Sequence, residues 1–156
     1  MPARPRVRIT IAITARPSGT PELDARLLEK LLTRAVRAAL AAEDVRAAEI
    51  SLALLDDAGI AELNQRYLGR QGPTDVVAFP LYQPGEPPVG DVYLGFEQAL
   101  RQATSLGVPP LEELARLAVH GTLHVLGYDH PAGGARERSA MWRVQERILR
   151  EVMGRE

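Results

Sequence analysis

Two kinds of hydrophobic spacing alternate along this chain, and that alternation constrains its fold more than any other feature. Apolar and threonine residues alternate over residues 7–15, which is the period of a half-buried strand. From Leu23 to Val36 apolar residues recur every three or four positions, which predicts a helix that continues to about residue 42. Thr20 and Pro21 provide the helix-start signal before it, an N-cap oxygen followed by proline.

The rest of the chain continues with both periodicities. Further strands are predicted at residues 49–55, 74–79 and 91–96, and further helices after Asp56 and at about 97–105, 110–126 and 134–153. The order β-α-β-α-β-β-α-α-α predicts an α+β fold, with a small mixed sheet of about four strands covered by about five helices. We expect one domain over residues 1–156, because no repeat, low-complexity tract or linker divides the chain.

Two of the helices carry specific predictions about the core. Asp56 is expected to cap a short helix that turns Ile60, Leu63 and Tyr67 toward the core. On the last helix Trp142 shares core-like spacing with its apolar neighbours. We therefore interpret Trp142 as a packing residue rather than as a residue that stacks on nucleic-acid bases.

Composition excludes several classes of protein. The chain has no cysteine, which rules out disulfides, thiolate zinc sites and cysteine nucleophiles. It has 19 basic and 20 acidic residues, so nucleic-acid binding would need a local basic patch. The apolar stretch at residues 117–128 is much shorter than the roughly 20 residues that span a bilayer, and the N-terminus lacks a signal-peptide pattern. These features predict a cytoplasmic protein without membrane contact.

All the histidines of the chain lie in the segment HGTLHVLGYDH, residues 120–130. His120 and His124 are about one helical turn apart, so they project from one face and can take adjacent positions on a metal. Gly127 stands where helices commonly end in a left-handed conformation, which lets the chain turn back and deliver His130. Three imidazoles leave a fourth tetrahedral position for water, as in catalytic zinc sites. We predict one zinc ion on His120, His124 and His130, although nickel and copper also suit imidazole.

The spacing of these histidines also occurs in metzincin proteases, which place a glutamate general base directly after the first histidine. Here that position is Gly121, so a protease would lack the side chain that takes the proton of the attacking water. The pattern therefore favours metal-assisted hydrolysis but not of peptides. Asp129 is interpreted as a hydrogen-bond partner of a ligand or as a turn cap rather than as the base.

A second polar group lies upstream of the histidines. Arg66 and Arg70 are four residues apart. Together with Asn64 and Thr74 they could bind a phosphodiester through hydrogen bonds. Asp75 is a further candidate, either as a metal ligand or as a base. On composition alone, a solvated helix end that leads into a strand is the simpler interpretation of this segment.

Taken together, these segments resemble the YbeY family of bacterial endoribonucleases and rRNA maturation factors. The resemblance rests on HGTLHVLGYDH together with LNQRY at 63–67, GPTDVVAFP at 72–80 and GDVYL at 90–94, and it extends from about residue 56 to residue 151. It implies a small α+β metalloprotein that holds zinc through His120, His124 and His130. It also implies cleavage of single-stranded RNA, maturation of the 3′ end of 16S rRNA in the small ribosomal subunit, and ribosome quality control.

The chain departs from the family pattern after Tyr67. Leu68 stands where the family typically has an arginine linked to activity, and Arg70 stands where lysine is usual. Gln71 and Ala78 likewise replace the usual aspartate and serine. We therefore take Arg70 as the candidate catalytic residue. The candidate substrate-binding residues are Asn64, Arg66, Thr74 and Asp75.

Two other functions remain open at this point. The first is a non-enzymatic ribosome assembly factor in which a structural zinc holds the C-terminal helices together, which the missing arginine at position 68 favours. The second is a metzincin-like metalloprotease, which Gly121 disfavours.

Overall fold

The computed structural model describes residues 6–14, 23–128 and 135–154, with side chains in the last of these ranges from residue 140 onward. The strands in this part of the chain are β1 (Val7–Ile13), β2 (Ala48–Leu55), β3 (Val76–Pro80) and β4 (Val89–Gly95). The helices there are α1 (Ala25–Ala42), α2 (Asp57–Leu68), α3 (Phe96–Leu106), α4 (Pro110–Val125) and α5 (Ala135–Val152). Their order and number confirm the predicted α+β fold. No helix among the described residues is both long and apolar enough to cross a membrane.

The strands form a mixed sheet in the order β1-β2-β4-β3. β1, β2 and β4 are parallel, whereas β3 runs antiparallel to β4. Side chains of β2 alternate between buried and more accessible positions, because one face of the sheet is covered by α1 and α4. The short strand β3 forms one edge of the sheet, and the segment that precedes it carries Thr74 and Asp75.

Helix α4 is the central helix of the fold. It packs against β3 and β4 on one side and against α1, α3 and α5 on the others, so it is apolar over most of its circumference. Its fully buried residues include Leu114, Ala118 and Leu123. Any side chain on this helix is therefore held in place from several directions.

Gly121 allows α4 to lie close to the sheet. A Cβ atom at this position would be 2.5 Å from Cγ1 of Val92 and 3.1 Å from Cγ2 of Val76, which is too close for any side chain. In the sequence, Gly121 stood out only because it replaces a carboxylate. The structure shows that the position faces the sheet, and that glycine there sets the distance between α4 and β4.

The predicted cap of α2 is confirmed, but two core predictions were wrong. The Asp56 carboxylate accepts a hydrogen bond of 2.7 Å from the N–H of Gly59, and Ile60 is buried. Tyr67, in contrast, is 60% exposed and packs edge-on against Phe79, because the last turn of α2 extends beyond the core. The helix-start signal at Thr20 and Pro21 lies outside the described residues.

Trp142 is the second correction, since it is 57% exposed rather than packed in the core. The buried stripe of α5 passes through Met141, Gln145, Ile148 and Val152, at intervals of four, three and four residues. Trp142 is one residue away from this stripe, which corresponds to a rotation of about 100° around the helix. Apolar spacing alone did not determine the phase of the helix.

Candidate metal centre and its cleft

His120 and His124 converge as their spacing on α4 predicts. Their Nε2 atoms are 3.0 Å apart, and their ring planes are inclined by 75°. Two imidazole nitrogens bound to one tetrahedral zinc ion at 2.0–2.1 Å would be about 3.3 Å apart. The two rings therefore fit neighbouring positions on a single cation, and both are half-buried.

The predicted end of α4 is also present. Gly127 has a φ angle of 112°, in the region that favours glycine. Its N–H donates to the carbonyl of His124 at 3.1 Å, and the N–H of Tyr128 donates to the carbonyl of Leu123 at 3.0 Å. This pair of bonds is the Schellman motif, which ends the helix directly after the second histidine.

His130 and Asp129 lie outside the described residues, so the role of His130 as the third ligand stays a prediction. Within the described ranges, no three His, Cys, Asp or Glu residues form a group that could hold a metal ion. A three-ligand site built on His120 and His124 therefore needs a residue from another part of the chain. His130 is the other histidine of the sequence, and we expect it to be that residue.

Gln145 of α5 orients the ring of His120. Its Oε1 is 2.6 Å from Nδ1 of His120, and its Nε2 donates to Oε2 of Glu146 at 3.1 Å. Since a carboxylate can only accept, Glu146 directs the amide oxygen of Gln145 toward the histidine. That oxygen also only accepts, so Nδ1 carries the proton and Nε2 of the neutral ring keeps its lone pair. A histidine that binds a metal through Nε2 needs this tautomer.

Arg116, one turn before His120 on α4, holds Glu146 in place. Its Nε and Nη2 donate to the two oxygens of Glu146 at 3.0 and 3.2 Å, and it also pairs with the buried Glu112 and Glu113. Burial alone would lower the pKa of Arg116, but its hydrogen bonds to Glu146 and Glu113 raise it above the ordinary value. The three carboxylates outnumber the guanidinium, so this cluster places negative charge beside the histidines and favours a bound cation.

Neither Gln145 nor the ion cluster was predicted from the sequence. The position of Arg116, four residues before His120, was a usable signal, because it places both side chains on the same face of α4. Gln145 gave no such signal, because it belongs to another helix and is 25 residues further along the chain.

The histidines lie in the wall of a cleft of about 560 Å³. Arg70, Thr74 and Asp75 line the same cleft, so the structure brings these three upstream candidates together with His120 and His124. Among the described residues, the rest of the lining consists of Leu68, Val76, Val77, Ala78, Pro80 and Gly127. Volumes of this size are typical of small-molecule sites in proteins.

The other two upstream candidates, Asn64 and Arg66, are not among the lining residues. Asn64 is buried. Its side-chain amide donates to the backbone carbonyl of Gly72 at 3.1 Å, and its backbone carbonyl accepts from the N–H of Arg70 at 3.3 Å. It thus holds the loop that carries Arg70. Arg66 is exposed and lies 3.9 Å from Glu62 on the same helix, as the interpretation of a solvated helix end predicts.

Asp75 is held by short-range hydrogen bonds just before β3. Its Oδ1 accepts the N–H of Val76 at 2.8 Å and the hydroxyl of Thr74 at 3.4 Å. These two bonds, the ones its carboxylate makes within the described part of the chain, both engage Oδ1. Its Oδ2 is therefore available to a group bound in the cleft.

Comparison with known proteins identifies the family. The sequence model described as "Endoribonuclease YbeY" matches residues 14–153. The chain belongs to the YbeY family. The Endoribonuclease YbeY of Moorella thermoacetica is 46% identical over 134 residues, which cover 78% of this chain and 84% of that protein. The Endoribonuclease YbeY of Persephonella marina is 36% identical over 135 residues, which cover 83% and 86%.

A solved structure shows the same fold. The solution structure of TM1509 from Thermotoga maritima matches with a TM-score of 0.64 and 26% sequence identity, covering 95% of this chain and 89% of that one. The resemblance seen in the sequence is thereby confirmed. Every residue that lines the cleft lies within the range matched to the YbeY family.

Proposed function

We propose that this protein is a zinc-dependent endoribonuclease that cleaves single-stranded RNA, and that it acts in the maturation of the 3′ end of 16S rRNA and in ribosome quality control. The observation that carries the proposal is the convergence of His120 and His124 in a cleft that also contains Arg70. The name of the relatives, Endoribonuclease YbeY, supports the reaction class. The ribosomal substrate follows from the family resemblance.

His120, His124 and His130 would hold the zinc ion. The tautomer imposed by Gln145 and the negative charge of the Arg116 cluster both favour a cation at this place. When bound, zinc supplies Lewis-acid chemistry, since it polarises a phosphoryl oxygen and makes water more acidic.

Three residues of the cleft suit a phosphodiester. The guanidinium of Arg70 is exposed, makes no ion pair within the described part of the chain, and can donate two parallel hydrogen bonds to phosphate oxygens. It would stabilise the negative charge that develops on those oxygens during cleavage. The hydroxyl of Thr74 can turn its proton from Asp75 to a phosphate oxygen, and Oδ2 of Asp75 can accept a hydrogen bond from a hydroxyl group of the RNA.

The size of the cleft favours single strands. A volume of about 560 Å³ accepts a nucleotide of a flexible strand, whereas a duplex would have to unpair before its backbone could enter. We therefore expect a single-stranded oligonucleotide to be cleaved and the same sequence in a duplex to be resistant.

Replacing Arg70 with alanine is expected to lower RNA cleavage about 100-fold and to leave the zinc content unchanged, because the guanidinium contacts the phosphate and not the metal. Arg66→Ala is the matched control, since it removes an exposed arginine four residues away that does not line the cleft. Cleavage rates of a labelled single-stranded RNA would be compared for both variants. Equal rates would remove Arg70 from the mechanism.

Replacing Gln145 with leucine is expected to weaken zinc binding about 10- to 100-fold, because Nδ1 of His120 loses the acceptor that fixes its tautomer. Zinc affinity would be measured by competition with a chromophoric chelator. Gln98→Leu, which removes another part-buried amide without contacting the histidines, should leave the affinity unchanged. An unaltered affinity in the Gln145 variant would show that its hydrogen bond does not position the ring.

The geometry does not support the protease alternative. The position that holds the general base in metzincins is Gly121, and a side chain there would point at Val92 of the sheet.

A further inference from the structure

A second cavity, of about 210 Å³, adjoins the cleft that contains the histidines. Asp75 and His120 line both, so the two cavities share a boundary at the candidate metal centre. The second cavity lies between α3, α4 and α5, which contribute Leu106, Leu117 and Trp142 to its apolar wall.

Trp142 contributes an aromatic ring to the wall of this cavity. It is the single tryptophan of the chain, and 57% of it is exposed. Leu106, on the opposite helix, is 61% exposed and extends the same apolar surface. When a ligand covers large apolar side chains that are exposed beside a cavity, apolar surface is removed from water, and this favours binding.

We propose that this cavity is a nucleobase subsite, in which a base next to the scissile phosphate stacks on the indole of Trp142. The inference rests on the proposed endoribonuclease function, because the strand must enter the adjoining cleft to reach it. Stacking on aromatic side chains is a general mode by which proteins hold unpaired bases. The cavity can accommodate one heterocyclic ring system, but not a base pair.

The charges in the wall indicate a base rather than a phosphate. Glu113 contributes a buried carboxylate, and Arg116 is already engaged by three carboxylates. A phosphate beside Glu113 would meet this negative potential and would find the donors of Arg116 already engaged, whereas a neutral base would not be repelled. The backbone of the RNA therefore belongs in the cleft with Arg70, and the base belongs against Trp142.

The polar groups of the wall predict little sequence selectivity. The amide of Gln145 is bonded to His120 and Glu146, and the amide of Gln102 is bonded to Glu113 and Gln98. Each of these amides keeps at most one unused N–H, and Asp75 stands at the boundary with the cleft, so these groups should contribute little to reading the edges of a base. Binding should depend on whether a base is present and hardly on which base it is.

Fluorescence provides a direct test, since Trp142 is the chain's single tryptophan. Stopped-flow mixing of the zinc-loaded protein with a short single-stranded RNA should quench the emission before cleavage begins. Trp142→Ala should weaken binding of the labelled RNA about tenfold, whereas Trp142→Phe should retain most of the affinity. Zinc content should be unchanged in both variants.

An abasic substitution separates stacking from a structural role. RNA that lacks one base beside the cleavage site should bind about tenfold more weakly to the wild type. Trp142→Ala should bind the intact and the abasic strand equally. If Trp142→Ala weakens both strands by the same factor, or if binding leaves the emission unchanged, the subsite is refuted while the nuclease function stands. If the wild type neither binds nor cleaves RNA, the proposed function fails, and the subsite fails with it.

Discussion

Replacing His124 with alanine will abolish stoichiometric zinc binding and reduce RNA cleavage by at least about 100-fold. The reason is geometric: the Nε2 atoms of His120 and His124 converge to 3.0 Å, so removing one ring leaves the other without its partner on the metal. Mutation of residues that hydrogen-bond to metal ligands typically lowers metal affinity or activity 10- to 100-fold, and loss of a ligand itself should have a larger effect. Metal content by mass spectrometry and cleavage of a labelled single-stranded RNA would be measured on the same preparation.

Matched controls show whether a loss of cleavage comes from the metal centre. Arg66→Ala, purified identically, should keep both zinc and activity, because its side chain lies outside the cleft. Equal cleavage by wild type and His124→Ala would point to a contaminating nuclease. If zinc removal lowers the melting temperature and the zinc-loaded wild type does not cleave RNA, the metal is structural and the protein is a non-enzymatic assembly factor.

Replacing Gly121 with alanine should destabilise the protein by about 1–3 kcal/mol, the range typical of overpacked cores. In an ordinary helix interior, replacing glycine with alanine stabilises the helix by roughly 1 kcal/mol. The sign of the change in unfolding free energy therefore distinguishes the two cases. The structural reason is the 2.5 Å separation between the added Cβ and Cγ1 of Val92. Urea denaturation would give the free energy of unfolding of both proteins.

A double variant tests whether this contact with Val92 is the cause. Val92→Ala alone should destabilise the protein by creating a cavity at a fully buried site. Combined with Gly121→Ala, it removes the atoms with which the new methyl group clashes. The two changes should therefore be less destabilising together than the sum of the single effects, with a coupling of about 0.5–3 kcal/mol. Additive free energies would show that the two side chains do not conflict.

Local sequence patterns predicted those parts of the structure that depend on neighbouring residues. Asp56 caps α2 and Gly127 ends α4, because each signal acts within a few residues of chain. His120 and His124 converge for the same reason, since helical geometry alone sets their relation. The order of the predicted strands and helices also indicated a small sheet covered by helices, whereas the cleft was not predicted.

The wrong predictions concern positions where packing between helices and strands determines which side chain faces the core. Trp142 and Met141 are adjacent and both apolar, yet only Met141 faces the core, because the phase of α5 is set by the elements it packs against. Arg66 lies in the last turn of α2, whereas Arg70 follows Gly69, the cap of that helix. Only the loop held by Asn64 brings Arg70 to the cleft, and that placement depends on the fold as a whole.

The hydrogen bond between Gln145 and His120 has a consequence for protein synthesis. As the chain is translated, both helical histidines emerge well before Gln145, which follows His120 by 25 positions. Until α5 docks, the imidazole of His120 can carry its proton on either nitrogen, and only one of these forms offers Nε2 to a cation. On a nascent chain, the proposed metal site therefore reaches its full affinity only after α5 has been made and has docked.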